Sequence, residues 1–178
     1  MARLPYADPV AVADRPLVEA ISAQRGEILH LYQMLLHSPP LTAGWLHYLS
    51  AIRQQCGLPG AIRELVIMRI AQLNRAAYEA EQHAPIALAE GISQAQLDAL
   101  EDWRASHLFD DTQQAVLALT DAMTQTVQVP NAVFEAARRH FNATGMVELV
   151  GVIAAYNMVS RFLEALEIDS RDERPPAT

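Results

Sequence analysis

The 178-residue chain contains no lysine; its 13 cationic side chains are all arginine. That absence excludes a Schiff base, an anchor for pyridoxal phosphate and a P-loop lysine. There is one cysteine, Cys56, which excludes an intrachain disulfide, a C-x-x-C redox pair and a cysteine-based zinc cluster. At a helix end it reads as a small apolar filler. Cations are also few relative to the 21 acidic residues, leaving a net charge of −8. Long-range attraction to nucleic acid or to an anionic membrane is therefore not expected. The start, Met1 to Tyr6, has no apolar core of a signal peptide, so the cytoplasm is the expected compartment. The longest apolar segment, Met146 to Leu163, is broken by Glu148, Asn157 and Arg161. Those groups are costly against lipid, so it reads as a buried helix of a soluble protein.

What the chain does have is apolar side chains and alanine. Hydrophobic residues make up 51% and charged residues 19%, enough for a sizeable core. Thirty alanines favour helix. Apolar positions recur at helical spacing almost throughout, with no strand alternation and no linker. The expectation is an all-α single domain over residues 1–178, a bundle of eight or nine helices, with 1–13 and 169–178 as flexible ends. Capping and breaking residues place the helices near 14–24, 27–37, 38–57, 61–73, 76–89, 93–104, 110–126, 130–141 and 144–167. His30, Gln33 and His37 read as a solvated stripe. Pro85 predicts a kink or an early end to its helix.

Polar groups inside apolar helices are the chemical signal. The segment Ile62 to Leu73 is apolar nearly all round, so Glu64 and Arg69 need partners. A structural ion pair, or a Glu at a helix N-terminus, would satisfy Glu64. Glu79 and His83 are four apart and share a helix face. A carboxylate beside an imidazole tunes a general base near neutral pH, and is equally a common surface pair. Asn157, Ser160 and Arg161 form a polar strip on the last helix. Arg161 could bind a substrate carboxylate through its fork, or pair with Glu164.

The run from Leu58-Pro-Gly-Ala-Ile-Arg-Glu64-Leu-Val-Ile-Met-Arg through Tyr78-Glu-Ala-Glu-Gln-His83-Ala-Pro85 to Gly91 carries a family resemblance. Ile92 to Leu100, Val147 to Arg161 and the break His37-Ser-Pro-Pro40 extend it over most of residues 26–167. These stretches resemble the carboxymuconolactone decarboxylase family, whose other branch is alkyl hydroperoxidase D. The peroxidase branch has a Glu, a C-x-x-C and a His four residues after the second Cys. The Glu and His fall on Glu64 and His83, whereas the cysteine positions fall on Ala76 and Glu79. The match is thus to a cysteine-free branch, with no thiol peroxidase cycle from its own cysteines.

The resemblance implies an all-α fold and a homo-oligomer, trimer or hexamer. It implies Glu64, Glu79 and His83 as catalytic residues converging in an apolar cavity. Tyr78, Asn157 and Arg161 are the substrate-binding candidates, with Arg75 as a second anchor for an anion. Such a site suits a cofactor-free lyase or isomerase acting on a small carboxylated substrate by decarboxylation, lactone opening or isomerisation. No cofactor and no metal is expected. The alternatives are a non-catalytic oligomeric binding module on a former peroxidase fold, or a metal enzyme using the same Glu/Glu/His set.

Overall fold

The computed structural model describes residues 1–176. Among them it has nine α-helices, a π-helical turn and a 3-10 turn, and no strand. The α-helices are α1 (Arg15–Arg25), α2 (His30–Leu35), α3 (Pro39–Ser50), α4 (Gly60–Asn74) and α5 (Ala77–Ala89), then α6 (Gln94–Ala99), α7 (Asp111–Gln125), α8 (Asn131–Arg138) and α9 (Ala143–Leu166). The π turn, Ala51–Gln55, prolongs α3, and the 3-10 turn is Trp103–Ala105. The chain divides into two compact units. One is Met1–Cys56 with the chain from Leu163 onward; the other is Gly57–Phe162.

In the first unit, Asp14 opens α1 by accepting the Leu17 amide at 3.2 Å, with Pro16 in the first turn. Gly26 closes it at φ 82°, a left-handed conformation that suits glycine. Here the stripe on α2 departs from expectation. His30 and Gln33 are buried and only His37 is exposed. The Gln33 amide donates to the carbonyls of Ala7 and Pro175 at 3.3 and 2.8 Å, and its oxygen accepts from Arg174 at 2.6 Å. His30 Nε2 meets the carbonyl of Asp172 at 3.1 Å. The covering comes from non-helical segments at both ends of the chain, which periodicity within α2 cannot reveal. Those ends also bind each other: the Tyr6 hydroxyl and the Ala2 amide donate to Asp172, at 2.9 and 3.0 Å. Of the tail expected to be loose, residues 177 and 178 lie outside the described residues.

In the second unit, α4 is buried without a break from Glu64 to Ala71. Its Leu65 and Met68 join Ala87, Ile92, Leu100, Trp103, Phe109 and Leu117 in one core. Burying each large apolar side chain of this set is worth about 1.5–3 kcal/mol. Helix α4 ends at Asn74, where Arg75 turns left-handed at φ 56°. Helix α5 does not end at Pro85 but runs on to Ala89. Capping boxes open α6 and α7, through Ser93 with Gln96 and Asp110 with Gln113. Helix α6 stops at Ala99, earlier than its pattern suggests, because Leu100 and Trp103 both turn into the core. Helix α9 is long and apolar enough to cross a membrane by length and composition alone. Within this unit it buries Leu149, Val152, Ile153 and Tyr156 instead.

Candidate functional site

Helices α4 and α5 bring one acid and one imidazole together inside the second unit. Glu64 projects from the second turn of α4 and is fully buried; His83, midway along α5, is 7% exposed. His83 Nδ1 lies 2.7 Å from Glu64 Oε2. That is a charge-assisted hydrogen-bond distance. The ring edge of His83 also meets the ring of Tyr156 on α9, with centroids 5.2 Å apart and planes at 90°.

The other oxygen of Glu64 is held from α4 itself. Arg63 Nε donates to Glu64 Oε1 at 3.1 Å, and Arg63 Nη2 donates to Glu90 Oε1 at 3.3 Å. Glu90 reaches this position because residue 60 has no side chain. A Cβ there would fall 1.9 Å from a Glu90 carboxylate oxygen. The result is a relay from the exposed Glu90 through Arg63 to Glu64 and His83.

The electrostatics follow from these contacts. Burial pushes the Glu64 carboxyl up. The hydrogen bond and charge of His83, joined by those of Arg63, pull it down harder, so it lies below its ordinary value. Glu64 is thus held as a carboxylate. Facing that carboxylate, His83 Nδ1 is the donor of the shared hydrogen bond.

Glu79 lies one turn before His83 on α5 and is buried at 2% exposure; Tyr78, beside it, is also buried. Among the described residues, no three His, Cys, Asp or Glu side chains are grouped so that they could hold a metal ion.

The strip on α9 makes a separate cluster. Asn157 donates to Thr124 Oγ1 at 2.9 Å and accepts from Asn74 at 3.1 Å and Arg161 at 2.6 Å. Asn74 also donates to Ser160 at 2.6 Å. Arg161 thus holds Asn157, the residue one turn before it. Arg75, exposed, marks the left-handed end of α4.

Arg69, the second charged exception on α4, has a different partner. Its Nε donates to Asp121 Oδ1 at 2.6 Å, and its Nη1 donates to Gln72 and to the carbonyl of Leu100. Asp121 further accepts from Trp103 and Arg104 at 3.1 and 3.2 Å. This is a structural ion pair in the core.

Sequence reasoning did not single out Arg63, Glu90 or Tyr156. Adjacent helix residues do not face each other, so Arg63 beside Glu64 carries no spacing signal. Only the reach of the guanidinium joins them.

Residues 39–122 match the model of the carboxymuconolactone decarboxylase family. Over 132 residues the chain is 30% identical to the uncharacterized protein YnjA of Escherichia coli (strain K12), covering 72% of this chain and 68% of that one. Its fold is similar to that of the alkylhydroperoxidase AhpD core of an uncharacterized peroxidase-related protein from Ralstonia eutropha JMP134. There the TM-score is 0.82 at 19% identity, over 96% of this chain and 93% of that one. The debrominase Bmp8 in complex with 2,3,4-tribromopyrrole superposes with a TM-score of 0.76 at 15% identity, over 96% of this chain and 94% of that one.

Proposed function

The chain belongs to the carboxymuconolactone decarboxylase family, and on that premise we propose that it is a cofactor-free acid/base enzyme for a small carboxylated substrate. The observation that carries the reading is the 2.7 Å contact between His83 Nδ1 and the fully buried Glu64. It orients the imidazole, and Nε2 is the nitrogen proposed to move the proton.

The chemistry is proton transfer at a carbon next to a carbonyl. In a decarboxylation, the bond between the carboxylate and the substrate carbon breaks and carbon dioxide leaves. The electron pair passes into the conjugated lactone carbonyl of the substrate. His83, entering the step as the cation, delivers its Nε2 proton to carbon, becomes neutral and regains a proton from water, and the hydroxide left combines with carbon dioxide as bicarbonate. Glu64 is a positioning residue that supports the cationic ring when it forms. A positioned acid or base of this kind contributes about 10²–10⁴-fold in rate. Lactone opening and isomerisation need the same proton movements. Glu79 and Tyr78 on α5 are proposed to border the substrate, with Arg161 or Arg75 attracting its carboxylate. In support of a small-ring substrate, the similar fold of Bmp8 holds a bromopyrrole. The family resemblance further supports a homo-oligomer, trimer or hexamer, and a cytoplasmic place.

The test uses His83→Gln and Glu64→Gln against a panel of carboxylated unsaturated lactones and β-keto acids. Carbon dioxide release and loss of lactone absorbance are followed. The expected result is turnover in wild type and at least a hundredfold loss in both variants, with thermal melts within a few degrees. Glutamine can keep a hydrogen bond at either position, so the fold survives while the proton carrier goes. Melts that collapse in both variants would make the pair structural. Equal turnover in all three proteins would remove His83 from the reaction.

A further inference from the structure

The unit Gly57–Phe162 holds a cleft of about 660 Å³ between the 3-10 turn, α7 and α8. None of its lining residues belongs to the Glu64–His83 pair. Its size lies within the roughly 300–1,000 Å³ of small-molecule sites. The opening exists because Ala115 and Ala118 on α7 and Ala136 on α8 line it. Methyl side chains leave a volume that leucines would fill.

One wall is built in advance. The Trp103 indole is buried, with its N–H donated to Asp121 at 3.1 Å. The guanidinium of Arg104 lies 4.2 Å from the centroid of that ring and donates one N–H to Asp121 at 3.2 Å. Its side chain is still 61% exposed, so its remaining N–H groups face outward. Arg139 and His140, just past the end of α8, also line the cleft. His140 is steadied by the Thr112 hydroxyl, 3.0 Å from Nδ1. Two arginines, Arg104 and Arg139, therefore line one cleft of a chain whose net charge is −8. Asp111 is the one carboxylate among the lining residues.

The geometry points to a binding site for a small organic monoanion. Its carboxylate is gripped by Arg104 and Arg139, and its apolar ring or chain lies over the alanine floor beside Trp103. Guanidinium forks match carboxylates in two-point contact. The apolar floor is what selects an organic acid over a bare anion, which would leave it unfilled. Stacking of Arg104 on Trp103 holds the fork in place, so little of its freedom is lost on binding.

Benzoate is the probe, titrated into the full chain with the two indole N–H signals followed by NMR. Trp45, the only other tryptophan, belongs to the first unit and serves as the internal reference. The expected result is saturable movement of the Trp103 signal alone in the millimolar range. Arg139→Gln should weaken this at least tenfold, and Ala118→Leu should abolish it by filling the floor. Benzyl alcohol, lacking the charge, and inorganic phosphate, lacking the apolar body, should each bind at least tenfold more weakly. His83→Gln should leave the benzoate response unchanged, which separates this site from the proposed acid/base centre. No movement of Trp103, an unaltered response in Arg139→Gln, or phosphate binding as tightly as benzoate would each overturn the proposal. If Ala118→Leu does not fold, Arg139→Gln decides, since residue 139 is exposed at the end of α8.

Discussion

Glu64 and Arg69 are two charges that one buried helix carries with different partners. Arg69 is tied to Asp121, Gln72 and the carbonyl of Leu100, with no donor left for chemistry at its Nε. Glu64 is tied to the imidazole of His83 and to Arg63. Asp121→Ala leaves a guanidinium buried, and its expected cost is about 3–5 kcal/mol in urea unfolding. Glu64→Gln, which can keep its shape and a hydrogen bond, should change stability far less. Equal losses in the two variants would contradict the distinction. The pair also predicts an acid response. The folded carboxyl of Glu64 sits below its ordinary 4.5, so below that value the unfolded chain takes the proton more readily. Its stabilising contribution is complete above pH 4.5 and is lost as pH falls through the depressed value. Urea midpoints measured from neutral pH to pH 3 should fall less steeply in Glu64→Gln. His30 acts in a higher window. Burial, outweighing its bond to the Asp172 carbonyl, lowers it below its ordinary 6.5. Its unfolded form therefore gains the proton first, and this part of the stability begins to fall below pH 6.5. The two windows are separable in one titration.

At the scale of elements, α5 carries a proline that it does not need for its fold. Pro85 is exposed and the helix continues beyond it to Ala89. Proline has no amide hydrogen, so one rung of the helical ladder is missing there. Pro85→Ala should stabilise the protein by on the order of 1–2 kcal/mol, the gain in helix propensity less the freedom returned to the unfolded chain. A thermal melt measures it, and a lower melting temperature would show that the proline shapes α5 in a way the fold requires. The caps were readable at this scale because a capping box spans only four residues. Ser93 with Gln96 forms as its spacing predicts, and Asp110, expected only as an acidic start to α7, forms a second box with Gln113. The end of α6 was not readable, since it is set by Leu100 and Trp103 seeking the core.

The molecule as a whole is a helical protein whose chemistry is bounded by what it lacks. With one cysteine it has no resolving partner within the chain, although its fold is similar to that of peroxidase-related proteins. Assembly is the main expectation at this scale. Val147 and Met158 on α9 are 73% and 39% exposed, apolar area that association would remove from water at about 25 cal/mol per Å². Sedimentation equilibrium at micromolar concentration should give a trimer or a hexamer. A monomer across that range would remove the oligomeric expectation without touching the fold.

The sequence by itself determined the helices, the caps at Asp14 and Ser93, the lack of a second cysteine and the identity of the polar intruders. Each of these depends on residue type or on neighbours within about four positions, which is the range of helical periodicity. Only the tertiary structure decided the partners. His83 comes to Glu64 from 19 residues away and Asp121 comes to Arg69 from 52. The covering of His30 and Gln33 comes from both ends of the chain. A buried charge must find its counter-ion wherever packing puts one, and packing joins residues that no local spacing relates.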